Sequence, residues 1–432
     1  MLNRSAERNY PETAYKLIVF AVLCTTFRGI IGNYIGVFTY LADFAYILIL
    51  FLILFTKGQV TSINKSIVYH YFAWIFYCLI NLCLQILFDK NIILKDAIFS
   101  LRNNVVYTLP FVLIVFSFTN RRIMDLYNLI LRSGTVICLF AIVQFVARGS
   151  LPARLLSLNI ENAATLYGSD IVRVNGLMGN SIIFGGYAIA LIALAFSKII
   201  VLRERNIEAW IEFVIPVIAN ALTFSRASNV GTIIVCLLVF LLSSNPERSQ
   251  DFTKRLIIAI IFSLILFFIV MQYFGNTILM QRLLGTNQSW TQGSDEVHFV
   301  TIRNGIKVIE ENWAIGYGMG TVGYASSLGS RGIVRDGALW IWLLEFGIPL
   351  SFFYLTLIIR FFHQAFVKRK QSLLSMSLYA AFIAMSVYLL GFSIINSAYS
   401  ARSVYSYWWL VGGMVVAIDN ENGENVWEER VM

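Results

Sequence analysis

This chain of 432 residues has little charge: Asp, Glu, Lys and Arg together make up 13% of it, while 58% is hydrophobic and the mean hydropathy is +0.72. Soluble domains carry charge on about a quarter of their residues, so a soluble globular fold is excluded. Histidine is scarcer still, with only His70, His298 and His363 scattered along the chain. There is no Walker loop, no H-E-x-x-H and no D-x-D in the segments between apolar runs, so no metal site is expected and no cofactor is called for. The five cysteines, Cys24, Cys78, Cys83, Cys138 and Cys236, all fall in apolar runs without ligand spacing, which points to packing rather than zinc or a disulfide framework. No cleavable signal follows the polar first dozen residues, so the first apolar run is expected to serve as an uncleaved signal-anchor. No internal repeat is found.

What the chain has in abundance is apolar runs long enough to cross a ~30 Å hydrocarbon core. They fall at about 15–35, 37–56, 66–88, 104–119, 130–147, 178–198, 207–224, 227–244, 256–275, 337–360, 373–392 and 402–418. The pattern predicts an all-α, polytopic membrane protein with about twelve spans in a single integral membrane domain, residues 1–432. With the N-terminus in the cytoplasm, Lys57, Lys65, Arg121, Arg122, Lys198, Arg203, Arg205, Arg248, Lys254, Arg255 and the Lys368–Lys370 run all lie inside, as the positive-inside rule requires. The net charge of +9 is spread between spans rather than clustered, so nucleic acid is not an expected partner.

That orientation leaves two long outer segments, 148–177 and 276–336, and leaves arginines where the rule removes basic charge. Arg226 stands in a tight turn, TFSRAS, between two apolar runs, and an arginine near bilayer depth marks a cavity or partner unless it snorkels to the headgroups. Arg173 opens RVNGLMGN, where glycines permit close backbone approach, although a loop arginine before a glycine-packed helix has the same look. Phe299, Ile302, Ile306, Ile309 and Trp313 recur with helical spacing, predicting an amphipathic helix over 295–313 with Arg303 and Lys307 on its flank. Glu310 and Glu311 make a solvated face the simpler alternative there.

The stretch from Glu310 to Pro349 is the most informative. Gly318, Gly320 and Gly323 satisfy G-x-G-x-x-G, but a helical pattern precedes them and a loop follows, so a dinucleotide fold is excluded. A loop whose backbone N–H groups approach an anion or sugar is the better reading, with Gly318, Gly320 and Arg335 as possible substrate contacts. Asp336, at the start of an apolar helix, suits a helix N-cap or a carboxylate that orients or deprotonates a sugar hydroxyl. Glu345, nine residues on, needs a partner within the bilayer, and an arginine is the first expectation.

Together and in order, Arg173 in RVNGLMGN, Arg226 in TFSRAS, and the segment from GYGMGT to RDGALWIWLLEFGIP resemble the O-antigen polymerase and O-antigen ligase superfamily. The resemblance covers most of the chain. It implies a GT-C-like membrane glycosyltransferase of the bacterial cytoplasmic (inner) membrane, with its active site on the outer, periplasmic face and a role in lipopolysaccharide or other surface polysaccharide biosynthesis. It also implies undecaprenyl-pyrophosphate-linked glycans as donor and acceptor, membrane lipid around them, and a chain-length regulator as a possible partner. Ligases of the superfamily open the last motif with histidine; here Asp336 and Gly337 keep the spacing to Gly347 and change the residues, so the repeat-unit polymerase branch is the closer resemblance. On this reading Arg173, Arg226 and Arg303 hold pyrophosphate, Asp336 is the catalytic base or orienting group, and transfer is metal-independent. The alternatives are a ligase moving finished glycan to an acceptor, and a lipid-linked oligosaccharide flippase or transporter using the same arginines. No half-to-half symmetry favours the latter.

Overall fold

A computed structural model describes residues 2–28, 38–56, 65–88, 93–117, 120–147, 173–176, 178–244, 253–258, 261, 288–321, 337–395, 398–399 and 401–418. The described residues are helical with turns and contain no strand. Thirteen α-helices lie among the described residues: α1 (Leu2–Thr26), α2 (Phe38–Thr56), α3 (Lys65–Phe88), α4 (Leu94–Val105), α5 (Leu109–Ser117), α6 (Asn120–Val146), α7 (Ser181–Ile200), α8 (Ile207–Ala221), α9 (Arg226–Leu242), α10 (Gln288–Glu311), α11 (Ala338–Lys368), α12 (Leu373–Gly391) and α13 (Arg402–Ala417).

Among the described residues, six segments are long and apolar enough to cross a membrane: Lys65–Phe88, Leu94–Val115, Arg121–Val146, Ser181–Ile200, Ala338–Lys368 and Leu373–Ile394. Tyr40–Phe51 and Arg226–Leu242 are shorter apolar helices. The run expected at 256–275 falls mostly outside the described residues, and the one expected at 104–119 begins earlier, at Leu94, with a single 3-10 turn, Val106–Thr108, inside it.

Helix starts follow from the residues that precede them. The Asn180 side chain accepts from the Ile182 N–H at 2.7 Å to begin α7, Asn206 accepts from Ala209 at 2.8 Å to begin α8, and Ser372 exchanges hydrogen bonds with Ser375 to begin α12. Each satisfies one of the donors that a first helical turn leaves open.

The centre of the bundle is α7, α12 and α13. Ser181–Ile200 is the most completely buried of the six apolar segments and Lys65–Phe88 the least. Trp408, Trp409, Tyr71, Tyr354 and Tyr399 lie fully inside, and Tyr354 shares its hydroxyl with Tyr399 at 3.1 Å and Tyr405 at 2.8 Å. Trp408 donates to Ser386 Oγ at 2.7 Å. The rim carries large apolar side chains outward, among them Tyr69, Phe76, Leu87 and Phe88 on α3, which is the inside-out arrangement of a protein surrounded by lipid. Cys24, Cys78 and Cys138 pack inside, while Cys83 faces outward on α3.

The amphipathic helix is present but shifted: α10 begins at Gln288 and ends at Glu311, and Trp313 lies in the turn beyond it. Ile302 and Ile309 pack with Trp340 and Leu344 of α11, whereas Phe299, Ile306 and Trp313 stay exposed. The apolar period therefore serves two surfaces, one docked on the bundle and one open.

Candidate functional site

The RVNGLMGN and TFSRAS segments, about fifty residues apart, fold into one corner. The Val174 N–H donates to the Leu222 carbonyl at 3.2 Å, and Arg173 Nε donates to the Thr223 carbonyl at 2.7 Å. On the other side Gln144 of α6 accepts from the Gly176 N–H at 3.1 Å, which fixes the loop against the bundle. Thr223 and Phe224 turn the chain, Phe224 with a positive φ of 49°, and Ser225 then caps α9 so that Arg226 is its first helical residue. Both arginines are partly buried. A guanidinium on the first turn of a helix adds to the positive end of the helix dipole, so the corner is suited to an anion.

A second group of arginines gathers where α1, α2, α4 and α13 meet. Asp43 of α2, 7% exposed, accepts from Arg102 Nε at 2.7 Å and from Arg102 Nη2 through one carboxylate oxygen, and from Arg402 Nη2 at 2.6 Å through the other. Both guanidiniums lie over the Tyr107 ring, that of Arg102 at 5.4 Å and that of Arg402 at 4.8 Å from its centroid. Arg28, at the end of α1, sits in the electrostatic field of Arg402, Tyr107, Arg102 and Asp43. Ser403, next to Arg402, contacts Met178 Sδ at 3.7 Å, so both arginine groups lie at the same end of the bundle. By the positive-inside rule Arg402 falls on the outer side with Arg173 and Arg226, while Arg28, Asp43 and Arg102 belong to no sequence pattern. The signal was a lone arginine after α1 and a lone aspartate in the next apolar run, each an expensive residue at membrane depth unless they meet.

The glycine-rich stretch is built into the bundle. Helix α11 breaks at Gly347, with φ 75° and ψ 173°, just before Pro349. The break frees two carbonyls and an amide, and the stretch after α10 takes all three. Tyr317 N–H donates to Leu344 O at 2.6 Å, Gly318 N–H to Glu345 O at 3.0 Å, and Ile348 N–H to Trp313 O at 2.7 Å. Gln85 of α3 grips Met319 from both sides, donating to its carbonyl at 3.0 Å and accepting from its N–H at 2.9 Å. The Glu345 carboxylate, 2% exposed, accepts from Ser100 Oγ of α4 at 2.6 Å and from the Gly320 N–H at 2.9 Å. Where an arginine was the first expectation for Glu345, these two partners are a hydroxyl and a backbone amide.

Gly318 and Gly320, expected as possible substrate contacts, thus face protein: a Cβ on Gly318 would strike the Gln85 side chain, and one on Gly320 the Asp96 backbone. Both have positive φ, which adds strain to any replacement. The N-cap of α11 is Gly337, one residue past the Asp336 to which the sequence assigned it. Asp336 and Arg335 themselves lie outside the described residues. Arg303 is exposed on α10 and makes no hydrogen bond or ion pair among the described residues; the segments of Arg173 and Arg226 are joined, and no contact ties Arg303 to them among the described residues.

Comparison with protein-family models and with curated proteins finds no match for this chain.

Proposed function

We propose that the chain is a membrane glycosyltransferase of about twelve spans that polymerises undecaprenyl-pyrophosphate-linked repeat units into a surface polysaccharide at the outer face of a bacterial inner membrane. The observation that carries the reading is the corner in which the segments bearing Arg173 and Arg226, distant in sequence, meet at the end of an apolar helical bundle. Sugar chemistry on a lipid pyrophosphate needs cations at that depth and no nucleotide, since the glycosyl pyrophosphate is already activated. The resemblance in RVNGLMGN, TFSRAS and RDGALWIWLLEFGIP supports the same reading.

In the reaction a hydroxyl of the acceptor sugar attacks the anomeric carbon of the donor. The new glycosidic C–O bond forms as the bond from that carbon to the pyrophosphate oxygen breaks, with inversion. Guanidiniums of Arg173 and Arg226 bind the phosphate oxygens and stabilise the charge that the leaving group gains. Asp336 takes or orients the hydroxyl proton. Asp336 in place of a histidine favours polymerase over ligase.

Purified chain incubated with defined lipid-linked repeat units tests this by product size. A ladder is expected from the wild type, and Arg173→Ala or Arg226→Ala is expected to reduce it tenfold or more, a loss of about 2–5 kcal/mol for a desolvated charge contact. Asp336→Asn is expected to remove most activity without loss of protein. Undiminished ladders in the arginine variants, at normal protein level, would overturn the pyrophosphate role.

A further inference from the structure

Helix α11 crosses the hydrocarbon core with its second part. From Ile348, just past the break at Gly347, to Lys368 it is about 30 Å long by the α-helical rise, which matches the thickness of the core by itself. Ile348, Phe352, Leu355 and Ile359 form one exposed apolar stripe along this part, and on a spanning helix such a stripe faces lipid. What packs on α11 before the break therefore lies at the level of the headgroups. Helix α10 packs there: Ile302 and Ile309 dock on Trp340 and Leu344, and a Cβ on Gly305 would meet the Trp340 ring at 2.9 Å, so glycine sets the close approach. Trp340 in turn donates to the Ile394 carbonyl at 2.8 Å, ahead of α13, so α10 sits at the end of the bundle where Arg402 stands.

Going round α10 at about 100° per residue, the docked face passes into Ile306 and Phe299 and then into Arg303 and Lys307. Phe299, Ile306 and, in the turn that follows, Trp313 and Ile315 are 49–70% exposed. The Trp313 carbonyl accepts from the Ile348 N–H at 2.7 Å, so this strip meets the lipid-facing stripe of α11 at its upper end. We propose that the strip is seated in the phospholipid leaflet, with Phe299, Ile306, Trp313 and Ile315 at the acyl boundary and Arg303 and Lys307 at the headgroup phosphates. Arginine and lysine at that depth lay their stems along apolar surface and carry their charge to the phosphates, and tryptophan favours the same boundary. The continuity with α11 identifies the occupant as lipid, since a soluble partner or a second copy would have to displace lipid from the stripe as well. Glu311, whose carboxylate accepts from the Tyr317 hydroxyl at 2.8 Å, lies beyond the basic pair, toward water. Arg303 thus meets a phosphate of the bilayer and not the substrate's pyrophosphate. The inference rests on α11 as a membrane span and is independent of the polymerase reading.

Photo-crosslinking of the full-length chain in phosphatidylcholine nanodiscs tests this. Benzoylphenylalanine, which on irradiation inserts into nearby C–H bonds, replaces Phe299, Ile306 or Glu311 one at a time, and the adducts are identified by mass spectrometry. All three side chains are exposed, so melting temperatures near that of the wild type are expected. Phosphatidylcholine adducts at positions 299 and 306 are expected to be at least fivefold more abundant than at 311. Arg303→Glu combined with Lys307→Glu is expected to cut the adduct at 299 at least threefold. An adduct to another segment of the chain or to a second copy, in place of lipid, would overturn the proposal. So would no adduct at either 299 or 306, which would mean that the strip faces water, or equal lipid adducts at all three positions, which would mean chance collision. Lipid adducts that survive the double charge reversal undiminished would overturn the headgroup role of Arg303 and Lys307. Polymer formation enters none of these readings, so a chain that seats α10 in lipid and makes no ladder overturns the polymerase alone.

Discussion

The two arginine groups at one end of this bundle are positioned by different means. Arg173 and Arg226 are placed by backbone: a carbonyl at Thr223 receives one, and a capped helix start presents the other. Arg102 and Arg402 are placed by a side chain, the carboxylate of Asp43, reached from helices far apart in sequence. A backbone-built site survives loss of any one of its cations, because the turn remains. A carboxylate-built site does not survive loss of the carboxylate.

The sharpest way to break that contrast is Asp43→Ala. It removes the carboxylate that Arg102 and Arg402 share, and removal of one partner from a buried pair typically destabilises by about 3–5 kcal/mol, so thermal unfolding of the purified chain should shift by many degrees or the protein should fail to accumulate. An unshifted melting temperature would mean that Asp43 does not organise the group. Arg226→Ala should behave in the opposite way, with a tenfold or larger loss of polymer and a melting temperature near that of the wild type. A smaller effect sharpens the comparison from a third position: Gly320→Ala forces a Cβ onto the Asp96 backbone and a side chain into positive φ, for about 1–3 kcal/mol of stability. The least effect is expected of Arg303→Ala. An exposed residue away from such features is worth within about 0.5 kcal/mol, so polymer yield should stay within about twofold, and a collapse of the ladder would restore Arg303 to the phosphate site.

These contrasts also explain what could be read in advance. Most helices begin within a few residues of the apolar runs, because Asn180, Asn206 and Ser372 end each preceding segment with a side chain that caps the next. The Arg173–Arg226 corner was legible for a related reason: its residues sit in turns, and turns leave local patterns. Arg28, Asp43 and Arg102 leave none, since what joins them is tertiary contact between helices. The glycines misled in another way. Gly318 and Gly320 look like a ligand loop because the same freedom, close approach and positive φ, serves a loop that docks on helices. Trp313 extended the amphipathic period past the end of α10, since periodicity does not sense where a turn begins.

The broken helix α11 bears on how this molecule moves. A loop used as a door must be able to swing without leaving polar atoms stranded. If 313–320 swung away, the carbonyls of Leu344 and Glu345 and the amide of Ile348 would lose their partners, as would both ends of the Gln85 amide and one contact of the Glu345 carboxylate. At about 1–3 kcal/mol for each unsatisfied buried group, that excursion is strongly disfavoured. The glycine stretch is therefore a hinge post and not the door, and any motion of this part of the molecule has to take place around it.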